Sequence, residues 1–166
     1  MKVDLERIRE RLADYLKEKG VPAQAAWPDE KRKFLTKPVA IVSLRECCTE
    51  PAGMMDYLGE QYNENTGLWE ECYGRRVKLT FGLDLYAPET GGEELQGTAA
   101  ALAHALSTGS PEGLAVKEFS CGETEYDGSA RLLKRKASVV CSGWLCAVAQ
   151  ADEPFLDFEL RGGLKQ

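Results

Sequence analysis

The chain has 166 residues, 43% of them hydrophobic and 29% charged, with 27 acidic against 21 basic side chains and a net charge of −6. That length fits one domain able to bury about 70% of its unfolded surface without a disulfide or metal staple, and the composition excludes disorder over most of it. The acidic balance argues against a dedicated DNA-binding protein, and no apolar run approaches a signal-peptide core or the roughly 18 residues of a membrane span, so no membrane association is expected.

In chain order, Leu5, Ile8, Leu12, Tyr15 and Leu16 recur at helical spacing, with Asp4 as a cap and Gly20 and Pro22 as a stop. This predicts an amphipathic helix within residues 1–20. From Val21 to Lys37 there is no period, only Pro22, Pro28, Trp27 and the trio Lys31, Arg32, Lys33, which reads as a connecting stretch. Val39 to Glu46 is β-rich and apolar on both sides, the pattern of a strand covered on both faces.

Residues 47–71 break the pattern, with Pro51, Gly53, Gly59 and the turn-prone run Asn63 to Gly67. They form a long excursion between the first two strands, in which Met54, Tyr57, Leu58 and Gln61 fit a short helix after Thr49. Next, Tyr73, Val77, Leu79, Phe81, Leu83 and Leu85 alternate with polar residues and glycine, so one face of this strand is core. Gly91-Gly92 precedes a second helix carrying Leu95, Ala99, Leu102 and Leu106. A strand at 114–121, a turn at Tyr126 to Ser129, an extended run from Arg131 to Ala149 with a break near Gly143, and a last strand around Leu156, Phe158 and Leu160 complete the order. The fold class expected is α+β: one domain over 1–166, with a single mixed or antiparallel sheet and two helices packed on it.

Catalytic chemistry lacks parts. The one histidine, His104, sits in the second helix between alanines, so neither a Ser-His-Asp nor a Cys-His arrangement can be drawn. Gly91-Gly92 leads into Glu93-Glu94, which would meet a phosphate with carboxylates. The six cysteines include no CxxC, so no zinc knuckle or thioredoxin-type motif exists, and reduced thiols are expected. Glu70-Glu71 and the pair Glu123 and Glu125 read as solvated charge. No enzyme, no cofactor and no metal are the expectations.

Charge is unevenly placed. From Glu46 to Gly74 there are seven acids and no Lys or Arg, alongside Met54, Met55, Tyr57, Leu58, Tyr62, Leu68 and Trp69. Two readings stay open: a loop folded over its own domain, or an arm that packs on a neighbour through aromatic anchors. In the second reading Met54, Tyr57, Leu58, Trp69, Glu70 and Glu71 meet a basic face built from Arg75, Arg76 and Lys78 on the polar side of their strand and from Arg131, Lys134, Arg135 and Lys136 near the hairpin turn. The arm is loosely held before assembly.

The order of elements resembles the tail-terminator or tail-completion (neck) proteins of long-tailed bacteriophages and phage tail-like particles. An N-terminal amphipathic helix, the strand Pro38 to Arg45, a long excursion, the strand Lys78 to Tyr86 followed by Pro88, a second helix and a closing hairpin carry that resemblance over roughly residues 1–160. It implies a structural protein made in the bacterial host cytoplasm and resident in the virion tail or neck. It further implies a homo-oligomeric, hexameric ring that touches the tail-tube protein and the head-tail connector and lets DNA pass without reading its sequence. The competing expectation is a small α+β ligand-binding or enzymatic domain.

Overall fold

In the computed structural model, which describes residues 4–26, 35–149 and 158–161, the first helix, α1, covers Leu5–Glu18. Asp4 caps it, its Oδ1 accepting from the Arg7 amide at 3.1 Å. Gly20 ends it at φ +81, a left-handed turn that brings the Val21 amide onto the Leu16 carbonyl. Ile8, Leu12, Ala13 and Leu16 form the buried stripe.

The strands are β1 (Ala23–Gln24), β2 (Val39–Pro51), β3 (Tyr57–Asn63), β4 (Leu68–Pro88), β5 (Ala115–Asp127), β6 (Leu132–Ala149) and β7 (Phe158–Arg161). The second helix, α2, covers Gly92–Thr108. All seven strands share one mixed sheet in the order β1-β2-β4-β6-β5, with β3 also on β4 and β7 also on β6. Among the described residues only the β1–β2 pair is parallel. The expected α+β fold with two helices on one sheet is the fold observed.

Alternation along β4 builds the core. Val77, Leu79, Phe81, Leu83, Leu85 and Ala87 point to one face and are buried with Ala40 and Val42 of β2 and Ala137, Val139 and Cys141 of β6. α1 covers this face over β1 and β2, and α2 covers it over β4 and β5 through Leu95, Ala99, Leu102 and Leu106. The Tyr15 hydroxyl donates to the Ala105 carbonyl at 2.8 Å and joins the two helices. The other face of the sheet carries no helix among the described residues.

Several boundaries differ from the expectation. β2 continues past Glu46 to Pro51, and β4 begins at Leu68, because both strands find a hydrogen-bonded neighbour where the sequence shows turn residues. The short helix expected after Thr49 is absent: Met54–Asp56 is one 3-10 turn, and Tyr57, Leu58 and Gln61 lie in β3. β6 runs through Gly143 without a break, its pairing to β4 unshifted from Glu71↔Ala149 to Pro88↔Leu132. β5 reaches Asp127, six residues beyond the expected end at Cys121. Ala23–Gln24 of the connecting stretch pairs with β2. Trp27, Pro28, Lys31, Arg32, Lys33 and Leu156 lie outside the described residues.

Candidate assembly interface

β4 and β6 are long enough to extend past the helix-covered body, and each gains a second neighbour there. β2 pairs with β4 from Tyr86 back to Arg75, and β3 then takes the same edge of β4 from Tyr73 to Leu68. The acidic excursion is therefore no detour from the sheet but its far end: a hairpin arm, β3–β4, hydrogen-bonded along its length apart from one bulge.

Local sequence explains the arm. Pro51 has no amide to continue the ladder, and the chain steps through the Met54–Asp56 turn with Met55 and Asp56 at φ 57 and 59, left-handed values that Asp tolerates better than Met. Asp56 then pairs with Arg75 across 3.6 Å. A β-bulge at Leu58 resets the register, so that Tyr57 faces Tyr73 while Gly59 faces Cys72. At the tip the Asn63 side chain accepts from the Asn65 amide at 2.9 Å, and Gly67 closes the turn at φ +69.

Cross-strand pairing arranges the side chains of the arm in rows on the same side of β4 as Val77 and Phe81. Tyr62 meets Trp69 with ring centroids 5.5 Å apart, and Tyr57 meets Tyr73 at 5.4 Å, both edge-on. Between these aromatic pairs Glu60 stands directly opposite Glu71, a like-charge pairing that costs stability in an isolated sheet. Among the described residues neither carboxylate has an ion-pair partner. The Tyr73 hydroxyl donates to Glu71 at 2.7 Å, and this bond raises the Tyr73 phenol above its ordinary value. Tyr57 is likewise raised, by desolvation and then by the charges of Glu60 and Glu71. Trp69 is 64% exposed, Met54 89% and Met55 87%, and Tyr57, Tyr62 and Leu68 are also exposed. Six large apolar side chains on one acidic arm form a concentration of the kind that marks a contact surface.

The expected interface residues divide. Met54, Tyr57, Trp69 and Glu71 are exposed on the arm. Glu70 is not: it points to the opposite side, is 5% exposed, and accepts from the Asn63 amide group at 2.7 Å. Leu58 is half-buried against Gly74 of its own chain. Arg75 and Arg76, expected together on the polar side, point to opposite faces because they are adjacent in a regular strand. Arg75 holds Asp56, whereas Arg76 lies 5.3 Å from the Trp144 ring on the open face, near Lys78.

The basic run near the hairpin turn separates for the same reason. Lys134 and Lys136 reach the open face, Lys134 lying 5.4 Å from the Tyr86 ring. Arg135 points to the helix side, donating to the Gly122 carbonyl and to Gln96 of α2. Arg131 sits in the turn at φ 52. Periodicity of two, applied to residues 131–136, is the signal that separates them.

Elsewhere chemistry is sparse. Cys141 is a core thiol that burial pushes up to about 12. Cys47 and Cys48 are exposed, and His104 is exposed on α2. Among the described residues no three His, Cys, Asp or Glu side chains converge as metal ligands. An open cleft of about 380 Å³ lies beside α1, lined by Arg7, Arg11, Tyr15, Pro111 and Glu112 among others, with Arg11 donating to the Glu112 carbonyl at 3.3 Å. No protein-family model matches the chain, and comparison with curated proteins finds no match.

Proposed function

We propose that the protein is a structural subunit of a long-tailed bacteriophage or phage tail-like particle: a tail-terminator or tail-completion protein that forms a homo-oligomeric ring at the end of the tail tube, next to the head connector. The observation that carries this reading is the arm, whose exposed Tyr57, Tyr62, Trp69, Met54 and Met55 lie beyond the helix-covered core. Aromatic anchors on a hydrogen-bonded hairpin suit a repeated protein contact, since large flat side chains bury much area at small entropic cost. The resemblance to neck proteins in the order of elements is the second ground for this reading. Under this reading the ring needs no cofactor, DNA passes through it, and its other partners are the tail-tube and connector proteins.

Solution mass by light scattering, with electron microscopy of the same sample, tests the reading. A ring of about six copies supports it, and a stable monomer at micromolar concentration overturns it. The ligand-binding or enzymatic alternative draws on the cleft beside α1. A monomer whose unfolding midpoint rises with an added small molecule, and whose response is lost in Arg11→Ala, would favour it.

A further inference from the structure

The two faces of the sheet carry different chemistry, and the unshifted β4–β6 pairing relates them across the full length of both strands. On the arm, the face continuous with the core bears the two aromatic pairs and the opposed Glu60 and Glu71. On the body, the opposite and helix-free face bears Arg76 and Lys78 from β4 and Lys134 and Lys136 from β6. Asp84 on these central strands is already held by Arg45 at 2.9 Å. The flanking strands add acids to this face, Glu46 and Glu50 on β2 and Glu118 and Glu125 on β5. The result is a basic stripe in two clusters, Arg76 and Lys78 opposite Trp144 and Ser142 at one end and Lys136 and Lys134 towards Tyr86 at the other, roughly 20 Å apart along the strands, with Thr80, Gly82, Ser138 and Val140 between them and acidic margins on either side.

We propose that the arm of one copy lies across this stripe on a second copy. The contact rests on the ring reading above and specifies which surfaces meet. Lysine or arginine from the stripe enters the gap between the Tyr57–Tyr73 and Tyr62–Trp69 pairs, where it relieves the Glu60–Glu71 repulsion and meets aromatic rings suited to cations. The acidic margins repel an arm displaced sideways, which sets register.

Because arm surface and stripe lie on opposite faces of one sheet, a chain cannot cover its own arm. A two-fold dimer exchanging both contacts would require the partner above the sheet at one end and below it at the other. The contact is therefore head-to-tail, and it closes into a ring or grows into a chain.

Two full-length variants test this. Glu60→Ala with Trp69→Ala disables the arm, and Lys78→Glu with Lys136→Glu disables the stripe; all four side chains are exposed, and circular dichroism verifies folding. Each variant alone is expected to be monomeric at concentrations where the wild type assembles. An equimolar mixture retains one intact arm and one intact stripe per pair, so it is expected to give a 1:1 dimer and nothing larger. The wild-type oligomer is expected to weaken between roughly 0.05 M and 0.5 M salt as screening shortens. If the wild type forms rings and both folded variants form them equally well, this contact is wrong while the ring reading stands. A monomeric wild type overturns both.

Discussion

Gly74 of β4 and Leu58 of β3 occupy one space: a Cβ added at Gly74 would stand 2.7 Å from Leu58 Cδ1 and equally close to the Leu145 carbonyl oxygen. The bulge that displaces Leu58 from the regular ladder sets its side chain over the glycine, which joins the root of the arm to the β4–β6 pair. Gly74→Ala is expected to cost about 1–3 kcal/mol, because a backbone carbonyl cannot swing aside. At Gly82→Ala the atoms nearest the added Cβ belong to the Arg45 guanidinium and the Ser43 hydroxyl. These can turn away at the expense of the exposed Arg45–Asp84 pair, worth about 0–1 kcal/mol. Urea unfolding of the two variants checks the contrast; equal midpoints would contradict it.

Phe81 is fully buried at the centre of the core, whereas its neighbour Thr80 points to the open face and is half-exposed. Phe81→Ala is expected to destabilise by about 3–5 kcal/mol, through lost transfer free energy and an unfilled cavity. Thr80→Val should stay within about 0.5 kcal/mol of the wild type. Thermal and denaturant midpoints measure both, and the reverse ranking would mean that β4 is turned over.

Asp127 ends β5 and organises the turn into β6, its Oδ1 accepting from the Ser129 hydroxyl at 2.7 Å, the Ser129 amide at 3.0 Å and the Ala130 amide at 3.2 Å. The Ser129 hydroxyl first, then the Ala130 amide, hold the carboxyl below its ordinary 3.8. A carboxyl depressed in the folded state contributes stability above its unfolded value, and that contribution is lost as pH falls through the folded one. The stability of the wild type relative to Asp127→Asn, which keeps an acceptor but cannot ionise, should therefore shrink as pH falls from about 5 to about 3. A difference independent of pH over that window would show that the charge does not matter.

Residues with strong local signals were legible in the sequence. The α1 stripe, the Asp4 cap and Gly20 stop, the alternation from Val77 to Leu85 and the α2 stripe each report one element against one core, and each lies where expected. The acidity and aromatic content of residues 46–74 were equally plain, because composition does not depend on conformation.

Only the tertiary structure decided that this acidic segment is strand. Pro51, Gly59 and Asn63 are poor strand formers locally, and what holds them is the backbone ladder offered by β4. The same holds for the charges. Sequence placed Arg75 beside Arg76 and Lys134 beside Arg135, but a pleated strand sends neighbours to opposite faces, and the helices cover only one of them. Which acids and cations are available to a partner is thus a property of the sheet: the composition of the chain was set residue by residue, and its two chemically different faces exist only once β4 and β6 pair in register.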